Sequence, residues 1–242
     1  MKLVLIGGGS NGHGNHCYET KEIDEEIVKM TNKEKPIFLF VGLASSFSDS
    51  YYDVMKKIYQ KLGCHTTYLK KKNILNNPDI VKDKIKSADI IYLSGGNTIK
   101  LVNIIKEYHL DKLILSAIQR DCVVAGISAG AIALANTGLS DYLIINNITN
   151  CYSFTNGLNF LNINICPHAN DKKRLEDLKN ILKQDPRKII CLENGTALKI
   201  DGPNATIIKS IKDANIKLLY YQNNKHIEKI LDNNTLKKFI KG

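Results

Sequence analysis

In Gly126-Ile127-Ser128-Ala129-Gly130, a serine stands two residues from a glycine on either side, directly behind the apolar run Cys122-Val123-Val124-Ala125. This is the spacing of a nucleophile elbow, where a strand turns sharply into a helix and glycines occupy positions at which a Cβ would clash. A serine so placed is exposed above a sheet. The small residues over 129–135 suit a helix whose N-terminal dipole would stabilise developing negative charge. A serine nucleophile also needs an imidazole to take its proton and a carboxylate to hold that imidazole in one tautomer. His168, in Cys166-Pro167-His168, follows the apolar run 161–166, and Pro167 restricts Cys166 to an extended conformation. Glu193, in Leu192-Glu193-Asn194-Gly195, follows the run 188–192. Three apolar runs thus end in Ser128, His168 and Glu193, a candidate catalytic set. The competing order of serine, acid and histidine would use Ser128, Asp201 and His226, but His226 lies in the polar stretch 222–226 with no strand end to position it.

The rest of the chain reads as the scaffold for such strand ends. Apolar runs at 3–6, 37–41, 66–69, 90–93 and 123–126 alternate with amphipathic helical stretches at 19–30, 51–62, 80–87, 98–106 and 111–119. Continuous rather than alternating apolar runs fit a mostly parallel sheet with helices on both faces. After the elbow the pattern becomes mixed. Strands are predicted over 142–145, 158–166, 188–192, 196–200, 206–209 and 217–222, with one helix over 172–183, so the C-terminal part adds mixed strands to one end of the sheet. No linker or repeat divides the 242 residues, and a single domain over 1–242 is expected.

Ligands of such sheets bind beyond the carboxyl ends of the strands, where three loops carry glycines: Gly7-Gly8-Gly9-Ser10-Asn11-Gly12, Gly95-Gly96-Asn97 and the elbow. The first resembles a dinucleotide fingerprint, but its predicted helix begins only near residue 19, whereas pyrophosphate recognition needs the glycine turn to open onto a helix N-terminus. His13-Gly14-Asn15-His16-Cys17 offers imidazole and thiolate ligands, yet no closing set follows at a recognised zinc spacing. A glycine-rich loop lining the crevice is the preferred reading, and neither metal nor organic cofactor is called for.

Composition narrows the classes further. The formal charge is +10, but only three arginines occur, and the lysines are scattered along helical stretches without an interleaved aromatic stripe. Solvated lysine faces are therefore expected rather than a nucleic-acid surface. The six cysteines form no C-x-x-C and read as reduced, mostly buried thiols. The N-terminal apolar run is too short for a signal segment or a membrane span, which points to a cytoplasmic protein without a membrane partner.

Gly-Ile-Ser-Ala-Gly-Ala at the elbow, Ser94-Gly95-Gly96-Asn97-Thr98 after the preceding strand and Pro167-His168 downstream resemble, in this order, the peptidase E (aspartyl dipeptidase) and cyanophycinase family. The resemblance runs from the first strand to about residue 200. It implies an α/β fold like that of class I glutamine amidotransferases, a flavodoxin-like three-layer sandwich, and a serine peptidase acting on a small peptide, with a homodimer compatible. It also implies a Ser-His-Glu triad on Ser128, His168 and Glu193, with Asp141 as the reserve third member or a site-shaping residue. The backbone N–H groups of Gly96 and Ala129 would form the oxyanion hole. Gly9, Gly95, Asn97, Asp141 and Arg174 complete the candidate substrate-binding set. Arg174, beside Lys172 and Lys173, is a candidate cation for an acidic residue before the scissile bond, as in an Asp-X dipeptide. Ala169 departs from the aromatic residue that relatives commonly carry after Pro-His, which alters a pocket wall. The alternative reading is a binding protein of the same fold that senses an acidic peptide or metabolite without turnover.

Overall fold

Alternation dominates the first half of the computed structural model, which describes residues 1–12, 16–45 and 47–241. Its elements are β1 (Lys2–Ile6), α1 (Lys21–Lys29), β2 (Ile37–Val41), α2 (Ser48–Lys61), β3 (His65–Leu69), α3 (Lys71–Asn76), α4 (Pro78–Ser87), β4 (Ile90–Leu93), α5 (Thr98–Glu107), α6 (Leu110–Gln119) and β5 (Val123–Ile127). The five strands are parallel neighbours in the order β1-β5-β4-β2-β3. Successive side chains of a strand face opposite sides, and the core divides accordingly. Leu3, Leu5, Leu39, Val41 and Val124 join one apolar cluster with Val81 and Ile85 of α4 and Leu101 of α5. Val4, Ile6, Phe38, Phe40 and Val123 join another with Ile23 and Ile27 of α1 and Met55 and Tyr59 of α2. Helices thus cover both faces, as the continuous apolar runs predict.

The second half contains α7 (Ala129–Leu134), β6 (Ala135–Ser140), α8 (Tyr142–Ile145), β7 (Ser153–Asn156), β8 (Leu161–Cys166), α9 (Lys172–Leu182), β9 (Ile189–Leu192), β10 (Thr196–Asp201), β11 (Asn204–Lys209), β12 (Ile216–Gln222), β13 (Lys225–Ile230) and α10 (Asn233–Lys241). Only β10 and β11 extend the first sheet, both antiparallel to their neighbours, giving the order β11-β10-β1-β5-β4-β2-β3. The remaining strands form a second, six-stranded mixed sheet in the order β13-β12-β9-β8-β6-β7. The fold is α/β as expected, and β10 and β11 lengthen one end of the first sheet as the sequence predicts, while the remaining strands of this half gather into a separate second sheet. One face of the second sheet contributes Ile163, Ile165 and Ile190 to the first core cluster, and the other packs Leu139, Cys166 and Cys191 against Leu178 and Leu182 of α9.

The segment 142–145 is a short helix instead of the predicted strand. Ile145 N–H donates to Asp141 O and Asn146 N–H to Tyr142 O, Ser140 Oγ accepts from Tyr142 N–H, and Asn147 at φ 55° ends the turn. A four-residue apolar run does not distinguish helix from strand by periodicity. Here none of the four side chains is buried, so no sheet claims it. No helix among the described residues is long and apolar enough to cross a membrane.

Candidate active site

The strand β5 is buried throughout and delivers Ser128 into a backbone conformation of φ 54°, ψ −111°. Such a conformation costs of order 1–3 kcal/mol for a residue with a Cβ and persists only where the surroundings hold it. They do so here on three sides. Ser128 N–H donates to Ile6 O at 3.0 Å, Ser128 O accepts from Ile132 N–H at 3.0 Å, and α7 begins at the next residue. The flanking glycines are needed for space: a Cβ on Gly126 would strike the Gly130 carbonyl, and a Cβ on Gly130 would strike the Leu93 carbonyl.

His168 reaches the serine from the second sheet. It follows β8 and Pro167, adopts φ 52°, and its N–H donates to Gly7 O at 2.8 Å, which ties it to the loop after β1. Its Nε2 lies 2.9 Å from Ser128 Oγ, and its Nδ1 lies 2.7 Å from Asn194 Oδ1. An amide oxygen only accepts, so the Nδ1 atom carries the proton and Nε2 presents its lone pair to the serine O–H. Burial, followed by the nearby Arg174 charge, lowers the His168 pKa below its ordinary value of 6.5, against the opposing pull of Asn194, Asp141 and Asp171. The imidazole is therefore neutral at neutral pH, the form that can accept a proton. Gly8, at φ 147°, shapes the space around this pair, because a Cβ there would collide with both the imidazole and the Asn194 side chain.

Glu193 does not join the row. Its carboxylate turns to the other side of the chain, 3.1 Å from Lys217 Nζ and accepting from Asn215 N–H at 2.8 Å. Adjacent residues leaving an extended segment point to opposite sides, so Glu193 and its neighbour cannot both face His168. The position next to the imidazole belongs to Asn194, which the sequence reading passed over. Asn194 is fixed by its N–H donating to Asn170 Oδ1 at 3.1 Å and by the following turn, where Gly195 takes φ 69° and donates to Gly8 O. The signal available in the sequence was parity beyond a strand end, combined with a glycine suited to that turn. His226, the competing base, lies on β13 with Nε2 2.8 Å from Lys179 O, and the structure does not bring it to Ser128.

Asp141 and Arg174 meet each other at 3.2 Å. The Arg174 side chain is buried, also donates to Leu139 O, and lies over the Tyr152 ring at 4.3 Å. Its charge reaches the crevice as a field on His168 while its guanidinium is engaged inside the protein. Lys173 pairs with Asp177 on the exposed face of α9.

The Gly95-Gly96 turn lies against the nucleophile, since a Cβ on Gly95 would stand 3.6 Å from the Ser128 Cβ. Gly96 takes φ 132°, and a Cβ there would meet Ala44 O at 2.6 Å. Ala129 is the first residue of α7, so its N–H has no intrahelical partner. Asn97 has a capping role: its Oδ1 accepts from Lys100 N–H at 3.0 Å at the start of α5. Gly9, at φ 127°, packs beside Thr20 and Glu19 in the first glycine loop. Of the His- and Cys-containing stretch after it, residues 13–15 lie outside the described residues. Among the described residues no cluster of three or more His, Cys, Asp or Glu side chains has the arrangement of a metal site.

Comparison with known proteins identifies the family to which this chain belongs. Residues 3–208 match the profile described as Peptidase family S51. Over 180 residues the chain is 32% identical to a peptidase E of Actinobacillus pleuropneumoniae serotype 5b, covering 70% of this chain and 72% of that protein. Over 175 residues it is 31% identical to the uncharacterized peptidase YgaJ of Bacillus subtilis, covering 72% and 71%. A crystal structure of a peptidase from an acI-B1 actinobacterium has the same fold, with a TM-score of 0.68 at 22% identity over 93% of each chain. The chain belongs to peptidase family S51 and is a serine-type peptidase.

Proposed function

We propose that this peptidase hydrolyses small peptides through an acyl-enzyme formed on Ser128, with His168 as the proton carrier and Asn194 as its positioning partner. The observation that carries the reading is the continuous row Ser128 Oγ, His168 Nε2, His168 Nδ1 and Asn194 Oδ1, with spacings of 2.9 Å and 2.7 Å. In the first step Ser128 Oγ bonds to the substrate carbonyl carbon while its proton passes to His168 Nε2. The C–N bond then breaks as the imidazolium returns that proton to the departing amine. Water repeats the sequence on the ester and releases the acid. Charge on the tetrahedral oxygen is met by the N–H groups of Gly96 and Ala129, which serve as the oxyanion hole.

An amide at the third position orients the imidazole but supplies no negative charge to the imidazolium, so the Ser128 row depends more on its geometry and oxyanion donors than a carboxylate-backed triad does. Arg174 is not assigned to an acidic substrate side chain, because its side chain is buried and both terminal nitrogens of its guanidinium are taken by Leu139 O and Asp141.

The test is covalent. A fluorophosphonate should label Ser128 in the wild type and in neither Ser128→Ala nor His168→Ala, with circular dichroism showing each to be folded. Folded wild type that resists labelling and hydrolyses no dipeptide would make the chain a binding protein of this fold.

A further inference from the structure

At the outer edge of the first sheet a cavity of about 610 Å³ opens beyond the carboxyl end of β3, between α2, α3 and α4. The strand β3 lies three places from β5, about 14 Å across the sheet at the spacing of neighbouring strands, so this cavity is separate from the crevice at Ser128. Its walls carry Asp49, Asp53, Lys70, Lys72 and Lys84 around the stacked rings of Tyr52 and Tyr68, whose centroids are 4.5 Å apart.

Two of these charges cancel. Lys70 Nζ lies 3.0 Å from Asp49 Oδ1, and Lys70 together with the Tyr68 hydroxyl holds the Asp49 carboxyl below its ordinary value. The other three stand apart: among the described residues Lys72, Lys84 and Asp53 enter no ion pair. Lys84 is half-buried, and its Nζ donates to Tyr68 O at 2.6 Å, which leaves two N–H groups. No carboxylate offsets its loss of water, so burial alone holds its pKa below the ordinary 10.5. Asp53 stands one helical turn beyond Asp49 on the same face of α2, where its charge bears on the Tyr68 hydroxyl. The cavity thus has an unmatched ammonium at the carbonyl end of Tyr68 and an unmatched carboxylate toward its hydroxyl end.

We propose that this cavity is a second ligand site, which takes the zwitterion of a free α-amino acid. The ligand carboxylate accepts from Lys84, with the Lys72 charge at the rim adding to the attraction, and the ligand ammonium donates to Asp53. An anion alone would satisfy Lys84 but face Asp53, and a cation alone would have the reverse fault. A molecule with both groups on one carbon satisfies both. The half-buried Tyr52 ring offers an apolar surface to the ligand side chain. Amino acids are what a peptidase releases, yet the site stands without the catalytic reading above, since none of its residues belongs to the Ser128 row.

The experiment is isothermal titration of the full chain at neutral pH with L-leucine and with its two halves, 4-methylpentanoate, which lacks the ammonium, and 3-methylbutylamine, which lacks the carboxylate. L-Leucine should bind with a saturable heat, and each half about tenfold more weakly, because a charge left without its partner costs at least that much. Lys84→Gln keeps a donor for Tyr68 O while removing the charge, and should weaken L-leucine about tenfold. Asp53→Asn, at an exposed position of α2, should do the same and serves if Lys84→Gln does not fold, with circular dichroism checking both. L-Leucine bound by either folded variant as tightly as by wild type overturns the site and assigns the heat to the Ser128 crevice. Equal affinity for either half, or no saturable heat in the millimolar range, overturns it as well. All of these outcomes leave the peptidase reading standing.

Discussion

Two hydrogen-bonded clusters in this molecule use similar chemistry for opposite ends. One is the row Ser128, His168 and Asn194 at the strand ends. The other surrounds Asp24 of α1, which is fully buried and accepts from Tyr18 and Thr20 on Oδ2 and from Tyr59 on Oδ1. Burial pushes the Asp24 carboxyl up to about 6, although the three hydroxyls pull it down. Judged by titration alone, Asp24 would be the more conspicuous site. Yet every donor around it is engaged in holding α1, α2 and the first glycine loop together, and no reacting atom can reach it. His168 shows only a depressed pKa, but its Nε2 faces the Ser128 oxygen, and both residues are half-buried rather than sealed in. A shifted pKa marks a place where charge is costly, and the accessible atom beside it decides whether that cost serves catalysis or structure.

Ser128→Ala and His168→Ala put the largest stress on this contrast. Each should reduce turnover of a cleaved peptide by about 10⁴-fold or more while leaving the fold intact, because residues that act as one unit lose nearly everything together. The double variant should be hardly worse than either single one. Additive losses would mean that the two side chains do not work as a pair.

Asn194 comes next. Asn194→Ala removes the acceptor that fixes the tautomer and should lower kcat by about 100-fold with little change in KM. Asn194→Asp restores an acceptor and adds an anion, which favours the imidazolium. In wild type the depressed His168 pKa places the acid limb of kcat/KM below pH 6.5. The aspartate variant should shift that limb upward, and loss of the Arg174 charge in Arg174→Gln should shift it in the same direction. A limb that stays fixed in both variants would show that another group controls it.

The Asp24 cluster should respond in stability rather than turnover. Its folded-state pKa of about 6 lies above the ordinary 3.8, so in this window the native chain binds more protons than the unfolded one. The stabilising contribution is complete below about pH 3.8 and is lost as pH rises through 6. At 1.36 kcal/mol per pKa unit the loss is about 3 kcal/mol. In urea unfolding, the stability of wild type relative to Asp24→Asn should therefore fall between pH 4 and pH 7. A flat difference would mean that Asp24 is not held in so costly an environment.

How much of this was readable in the residues follows from the physics of each part. The elbow and Pro167-His168 were legible because a glycine or a proline beside an apolar run restricts the backbone on its own. The strands β1, β2, β4 and β5 were legible because burial on both faces makes them continuous apolar runs. β6, Ala-Asn-Thr-Gly-Leu-Ser, was not: it has no such run, and Gly138 is small because Ile132 presses against it. β13, Lys-His-Ile-Glu-Lys-Ile, is an edge strand with an exposed polar surface, and its pairing with β12 is a tertiary fact. The role of Gly8 was equally hidden, since what it makes room for lies about 160 and 190 residues further along the chain.

Glu193 gives the smallest effect and the sharpest test of parity. A carboxylate one residue from the hydrogen-bonded row invites assignment as its acid, yet its partners are Lys217 and Asn215 N–H on the far side of the segment. Glu193→Gln keeps the shape and the acceptor for Asn215 while removing the charge that faces Lys217. The pair is largely but not wholly buried, so the change should cost about 1 kcal/mol of stability, with Lys217 still able to reach Glu228 at 3.4 Å. Turnover should stay within about threefold of wild type, since the His168 tautomer is set by Asn194. A hundredfold loss in folded Glu193→Gln, with Asn194→Ala nearly silent, would reverse the two assignments and require the segment 193–195 to turn over in the working enzyme.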